Sequence, residues 1–176
     1  TNFIGNPNLE PEESSSWELG VDKQMGELNL SATLFDTELE SEIDGFVYDP
    51  ATFAYTSGNK EGKSQRQGVE FTASVDMSDN LVINAAYTYT DSVEADGVGG
   101  YKDEIRRARH TGSLNLAWQA MDNLQINTNA QYSGSQTDTF FPPWPTPSQT
   151  VTMDDYTLIN INANYSASDK LDIYLR

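Results

Sequence analysis

The chain has 176 residues, with ten Lys and Arg against 27 Asp and Glu, and a formal net charge of −17. That balance argues against a nucleic-acid binder, which needs a basic face, and the absence of Cys excludes disulfide frameworks and thiolate metal sites. No apolar run is long enough for a transmembrane helix, but low mean hydropathy is compatible with strands that show lipid only every second residue.

In chain order, Thr1-Asn-Phe-Ile-Gly5 lacks the basic segment and apolar core of a signal peptide, so an exported protein would have its true N-terminus upstream. Trp17 to Lys23 is expected as a first strand, with Trp17, Leu19 and Val21 on one face and a tight turn at Gly26-Glu27. A long second strand is expected from Leu28 to Asp44, and Phe46 to Lys60 is expected as loop, with Pro50 and Gly58. Arg66 to Met77 alternates Val69, Phe71, Ala73, Val75 and Met77 with Glu70, Thr72, Ser74 and Asp76. Ser78-Asp-Asn80 turns the chain into a strand from Leu81 to about Thr90, and Asp91 to Glu104, with Gly97, Gly99 and Gly100, is expected as loop. Ile105 to Gln119, the turn Met121-Asp-Asn123 and Leu124 to about Gln136 follow. Phe140 to Pro147 cannot join a ladder, because Pro lacks the N–H. Tyr156 to Ser166, the turn Ala167 to Lys170 and Leu171 to Arg176 finish the chain, the last strand stopping mid-pattern.

Short turns therefore alternate with long loops, and the strands alternate Asn, Gln, Ser and Thr with Leu, Ile, Ala and aromatics. This fits an all-β, antiparallel up-and-down meander, a partial segment of a large transmembrane β-barrel with a wet interior. Turns are expected near Gly26, Asp79, Asp122 and Ser168 at one end. Climbing from those turns at about 3.3 Å per residue, Trp17, Tyr89 and Tyr132 reach a similar height, while Trp118 and Tyr165 mark the other edge. Two aromatic levels around an apolar band are what a membrane interface selects. The alternative is a soluble sandwich with ordinary core aromatics, serving as a binding or adhesion module.

Several motifs resemble the TonB-dependent outer-membrane receptors. Asn6-Pro-Asn-Leu-Glu-Pro-Glu12 followed by Trp17-Glu-Leu-Gly-Val21 resembles the stretch leading into a late barrel strand, and Gln67-Gly-Val-Glu-Phe71 the recurrent Gly-Val/Ile-Glu strand. Arg106-Arg-Ala-Arg-His110 resembles the basic run descending from an outer loop, and Asp155-Tyr-Thr-Leu158 with Asp169-Lys-Leu171 the strands shortly before closure. Motif spacing and the order of loop lengths are most similar to the cobalamin-receptor branch. The resemblance implies that residues 1–176 are the C-terminal portion of a receptor barrel of about 22 strands, with about eight supplied here and the plug, early strands and final strand elsewhere. It implies a Gram-negative outer membrane, lipopolysaccharide around the barrel, a TonB complex engaged through the plug, and import of cobalamin or a ferric siderophore. A passive porin or another outer-membrane barrel is the other reading.

No enzyme is expected. His110 is the only His, so a Ser/His or multi-His centre cannot be assembled, and it falls on the apolar face near the outer aromatic level. Glu70 and Asp76 share the lumen side of one strand, where acids ordinarily serve structure. Candidate ligand-binding residues are the cations Arg106, Arg107 and Arg109, suited to anionic groups, and the loop aromatics Tyr48, Tyr55, Tyr101, Phe140, Phe141 and Trp144, with Phe46 and Phe53 nearby. The cations suit an ion-pair network equally, and the aromatics suit loop-to-loop packing. Asp36, Glu38, Glu40, Glu42 and Asp44 alternate; in an unbroken strand they would line one face about 7 Å apart. Such a row repels itself, and Ca²⁺ at the outer loops would relieve it. A solvated strand extension, or a β-bulge splitting the row between faces, is the alternative. No resident cofactor is otherwise expected.

Overall fold

Residues 2–96 and 100–176 are described by a computed structural model, so Gly97 and Gly99 lie outside the described residues. Alternation along the sequence becomes strands β1 (Glu13–Met25), β2 (Leu28–Glu40), β3 (Ile43–Asp49), β4 (Ala54–Asn59), β5 (Lys63–Ser78), β6 (Leu81–Ala95) and β7 (Tyr101–Asp103). The remainder are β8 (His110–Met121), β9 (Leu124–Ser133), β10 (Gln136–Phe140), β11 (Gln149–Met153), β12 (Tyr156–Ser168) and β13 (Leu171–Leu175). The main sheet runs β1-β2-β5-β6-β8-β9-β12-β13, with β7 on β6, while β3-β4 and β10-β11 are separate two-stranded ribbons. Each strand of the main path pairs with the next one on it, so the sheet is the expected meander.

By contacts the chain divides into two compact units. The first comprises Thr1–Glu18, Phe35–Gln67 and Asp91–Glu104; the second comprises Leu19–Leu34, Gly68–Thr90 and Ile105–Arg176.

In the second unit the register sorts side chains by chemistry. Leu81, Ile83, Ala85, Tyr87 and Tyr89 pair across to Trp118, Leu116, Leu114, Gly112 and His110. Leu114, Leu116 and Trp118 continue to Ala130, Thr128 and Ile126 of β9, which meet Ile159, Ile161 and Ala163 of β12. Period-two geometry puts all of these on one face. The face is open: Leu114 is 48% exposed, Ile159 65% and Ile161 58%. Ala54 is the one buried apolar residue among those described. A soluble sandwich would remove these side chains from water against a second layer; among the described residues of this unit none covers them, the condition expected of a face turned to lipid.

The short-turn end carries a repeated clasp. Asn80 accepts from the Gln119 amide at 2.8 Å through its carbonyl, and its side-chain amide donates back to the Gln119 carbonyl at 3.2 Å. Asn123 does the same with Ser166, at 2.9 Å and 3.3 Å. Glu27 makes the backbone half, its carbonyl accepting from the Asp76 amide at 3.3 Å. Each turn is thereby tied to the first strand of the following hairpin.

Elsewhere the expected elements need correction. The second strand stops at Glu40, because Ser41 takes a left-handed φ of 56°. Phe46 to Lys60 is a ribbon rather than loop: β3 and β4 pair from Ile43↔Asn59 to Asp49↔Ala54. Its turn is held by Asp49, whose carboxylate accepts from the Ala51 amide at 2.9 Å and the Thr52 hydroxyl at 2.8 Å, with Pro50 between them presetting φ. Asp91 to Glu104 is also largely ladder, since β6 continues to Ala95 and pairs Val93↔Asp103 to Ala95↔Tyr101. The strand expected from Ile105 begins at His110, after Arg106 turns the chain with a φ of 61°. The strand expected to reach Gln136 ends at Ser133, and Gln136 opens β10, whose Phe140 pairs with Gln149. The prolines lie beyond that pair, outside the ladder.

Because Asn80 and Asn123 each contribute a side-chain bond that Ala cannot make, Asn80→Ala and Asn123→Ala should each lower the stability of the full-length receptor by about 1 kcal/mol. The double substitution should lower it additively, as denaturant midpoints in detergent would show. Unchanged midpoints would leave the clasps without energetic weight.

Candidate functional site

The face opposite the lipid side of the second unit is amide-rich. Asn84 pairs with Asn115, Asn115 with Asn129 and Asn129 with Asn160, so four strands place asparagine at one register level. The Asn129 amide donates to the Asn115 side-chain oxygen at 2.7 Å, and Asn127 donates to Asn162 at 3.1 Å. Ser113 and Gln131 pair one step above that row; Leu158, which pairs with Gln131, interrupts the polar set. An amide row offers donors and acceptors without fixed charge. Such a surface suits a watery lumen and polar protein within it.

The first unit is held by ion pairs. Glu94 on β6 accepts from Lys60 at 2.6 Å and from Lys102 at 3.2 Å. Arg66 grips Glu104 through two bonds, at 2.9 and 2.8 Å, the bidentate geometry that makes Arg–carboxylate pairs strong. The two buried polar side chains among the described residues, Ser64 and Ser92, donate to Glu42 and Glu104. All of these groups belong to the first unit. Burial raises the Glu94 pKa, but hydrogen bonds and charge from Lys60 and Lys102 outweigh it and leave the group below its ordinary value. Burial likewise opposes the Lys60 charge, and Glu94, with Glu42 and Asp44 adding, carries its pKa upward.

The acidic row is not formed as one face. Lys63 takes Glu38 and Glu40, each at 2.6 Å, and the Gln65 side-chain amide donates to Asp36 at 2.8 Å. Glu42 instead accepts from Ser64, which alternates with Lys63 and Gln65 on β5 and so points to the opposite face. The break at Ser41 thus splits the row, and Asp44 turns inward on its own strand, capping the Phe46 amide at 2.9 Å. Among the described residues no three acidic or His side chains are grouped as a metal ion needs. Asp36, Glu38 and Glu40 keep one face of β2, each bonded to Lys63 or Gln65, while Glu42 and Asp44 leave it.

Of the candidate ligand residues, Tyr48 and Tyr55 come together on the β3-β4 ribbon with ring centroids 5.5 Å apart. Phe46 lies 5.2 Å from Tyr55 and 6.2 Å from Phe3. The segment carrying Phe3 lies along β4, with the Ile4 amide donating to the Tyr55 carbonyl at 2.8 Å. The aromatics therefore pack on one another while Phe46 remains 68% exposed. Tyr101, on β7, is exposed as well. In the second unit, Phe140 ends β10, and Phe141 and Trp144 stand out at 75% and 93% exposure. Arg106 clasps this ribbon: its amide donates to the Thr137 carbonyl at 2.7 Å and its guanidinium meets Asp138 at 2.9 Å. The hydrogen bond from Arg106 holds the Asp138 pKa below the usual carboxylate range. Arg107 and Arg109 have partners within the protein too. His110 sits on the lipid face as expected, its Nδ1 2.7 Å from the Tyr87 hydroxyl and its ring 5.2 Å from that of Tyr89.

One lipid face, one amide-rich face and turns of strongly unequal length define the wall of a transmembrane β-barrel. The family described as TonB dependent receptor-like, beta-barrel, matches residues 1–176, and the chain belongs to that family. The vitamin B12 transporter BtuB of Vibrio cholerae is 31% identical over 172 residues, covering 98% of this chain and 26% of the relative. An iron-regulated outer membrane virulence protein of the same species is 26% identical over 183 residues, covering 98% and 28%. This chain thus spans about a quarter of the relatives' length. Among solved structures, the ferripyoverdine receptor of Pseudomonas aeruginosa matches with a TM-score of 0.73 at 23% identity, over 94% of this chain and 23% of that one. The siderophore receptor PirA of Acinetobacter baumannii matches with 0.72 at 22%, over 95% and 27%. At such identities these two speak for the fold. The protein is one of the Gram-negative outer membrane. Its relatives include both a cobalamin transporter and an iron-regulated protein.

The Glu94 clasp carries a pH dependence of definite sign. A carboxylate with a depressed folded pKa contributes its full stability above the ordinary value of 4.5 and loses it as pH falls through the folded value. Protection factors of the β6 and β7 amides, taken against intrinsic exchange at each pH, should therefore fall on acidification below that point. Glu94→Gln should flatten the response while making exchange faster at neutral pH. An unchanged profile in the variant would show that Glu94 carries none of it.

Proposed function

We propose that this chain forms part of the barrel wall of a receptor that imports a scarce metal complex, cobalamin or a ferric siderophore, with energy passed from TonB through a plug. The observation that carries the reading is the family match along the whole chain, supported by a sheet with a lipid face and an amide face. The amide row of Asn84, Asn115, Asn129 and Asn160 would line the lumen and meet the plug without the charge that would trap an ionic cargo. The aromatic residues of the β3-β4 and β10-β11 ribbons would meet ligand outside, Phe141 and Trp144 foremost, because flat aromatic surface held at a stiff Pro-rich turn binds with little loss of conformational freedom. Arg106 would keep that ribbon in place rather than contact ligand directly.

The test uses the full-length receptor in cells with and without TonB, supplied with radiolabelled cobalamin or a ferric siderophore. Uptake confined to the TonB-containing strain is the expected result; equal uptake in both would indicate a passive pore and overturn the reading. Trp144→Ala should weaken ligand binding about tenfold, the loss of roughly 1.4 kcal/mol, with barrel stability unchanged. Wild-type affinity in the variant would remove Trp144 from the ligand surface.

A further inference from the structure

A groove of about 400 Å³ crosses the lipid face of the second unit, where Ala32, Ala73 and Ala85 stand among the larger Val21, Leu30, Phe71 and Tyr87. Lys23 also lines it, one side-chain step nearer the Gly26-Glu27 turn than Val21. We propose that this groove binds the acyl chain of an anionic glycerophospholipid of the periplasmic leaflet, with the lipid phosphate against the Lys23 ammonium. The proposal rests on the membrane placement of the chain and not on which cargo it carries.

The occupant follows from position and charge. In an outer-membrane barrel the short turns face the periplasm, and Lys23 is three residues from Gly26. Its flexible stem lets the ammonium reach the headgroup level while the methylenes stay against the apolar wall. A cation on a lipid-facing strand is tolerated near an interface but costs several kcal/mol, about 2–4, at the midplane, so the interfacial level is where Lys23 can remain charged. Along this face of β1 and β2 the side chains are Trp17, Leu19, Val21, Lys23 and Met25, then Leu28, Leu30, Ala32 and Leu34, with no carboxylate before Asp36. None of the ion pairs among the described residues involves Lys23. On these strands no carboxylate answers the Lys23 charge, and at that level the bilayer supplies phosphate. Lipopolysaccharide occupies the opposite leaflet, beyond the reach of this side chain.

Native mass spectrometry of the delipidated full-length receptor tests this, in detergent with palmitoyl-oleoyl phosphatidylglycerol, the matching phosphatidylcholine, or lipopolysaccharide. One phosphatidylglycerol should be retained about fivefold more strongly than phosphatidylcholine, the preference expected of a single Lys at an anionic headgroup. Lys23→Gln should abolish the preference and keep residual binding, whereas Ala73→Leu, which fills the groove, should lower retention of both lipids. Ala85→Val serves as a second filled groove if Ala73→Leu fails to insert; heat-modifiable gel mobility reports insertion. Equal phosphatidylglycerol retention in the filled variants, loss of the bound lipid to lipopolysaccharide, or a dimer that the filled variants dissolve would each overturn the proposal.

Discussion

Hydrocarbon offers backbone amides and carbonyls nothing to bond with, and each one left unpaired there costs several kcal/mol. Every other feature of the second unit follows from that constraint. It forces the chain into a continuous ladder, and the ladder's two-residue repeat then assigns one set of side chains to lipid and the other to the lumen. The pairing of β8, β9 and β12, continuous from Thr111 to Gln119 on β8 and along Tyr156 to Tyr165 on β12, meets the requirement. The turns meet it at the periplasmic edge, where Asn80 and Asn123 bond the strand next to them instead of leaving its terminal groups open.

Where the constraint relaxes, the chain changes character. Ser41 takes a left-handed conformation, Glu42 moves to the opposite face from Glu40, and charged partners replace apolar neighbours. Ion pairs such as Lys60–Glu94 and Arg66–Glu104 hold that region, and they are partly shielded from water. The five alternating acids are accommodated by this division. Two share Lys63, one bonds Gln65, one bonds a buried serine and one caps its own turn, so each acid has a partner within the chain.

Alternation made the meander and its faces legible, because burial on one side fixes register so strongly. Leu124 to Tyr132 alone gives the period, and the Asp-Asn-Leu turns give the short end. The ribbons were hidden for a physical reason: Phe46 to Lys60 and Asp91 to Glu104 are rich in Gly, Pro, Asp and Ser, which mark turns locally, yet β3-β4 and β6-β7 are stabilised by partners that composition does not reveal. A weak signal was present, since Ser92 and Glu94 still alternate with Val93 and Ala95. The acidic row failed at one residue whose φ no pattern announces. Of the candidate ligand residues, Tyr48 and Tyr55 lie close in sequence and their rings meet, whereas the engagement of Arg106 with Asp138 joins positions 32 residues apart in sequence and lies beyond local reading.

The turn clasps have a consequence for assembly. Glu27 bonds Asp76, Asn80 bonds Gln119 and Asn123 bonds Ser166, so each hairpin tip holds the leading strand of the hairpin that follows it in the chain. The tip of one hairpin thus acts as a ruler for the next, and a slip of one residue anywhere would disengage the clasp beside it. Alignment is handed forward from β1-β2 through β5-β6 and β8-β9 to β12-β13, which gives the wall a built-in direction in which its strands are brought into step.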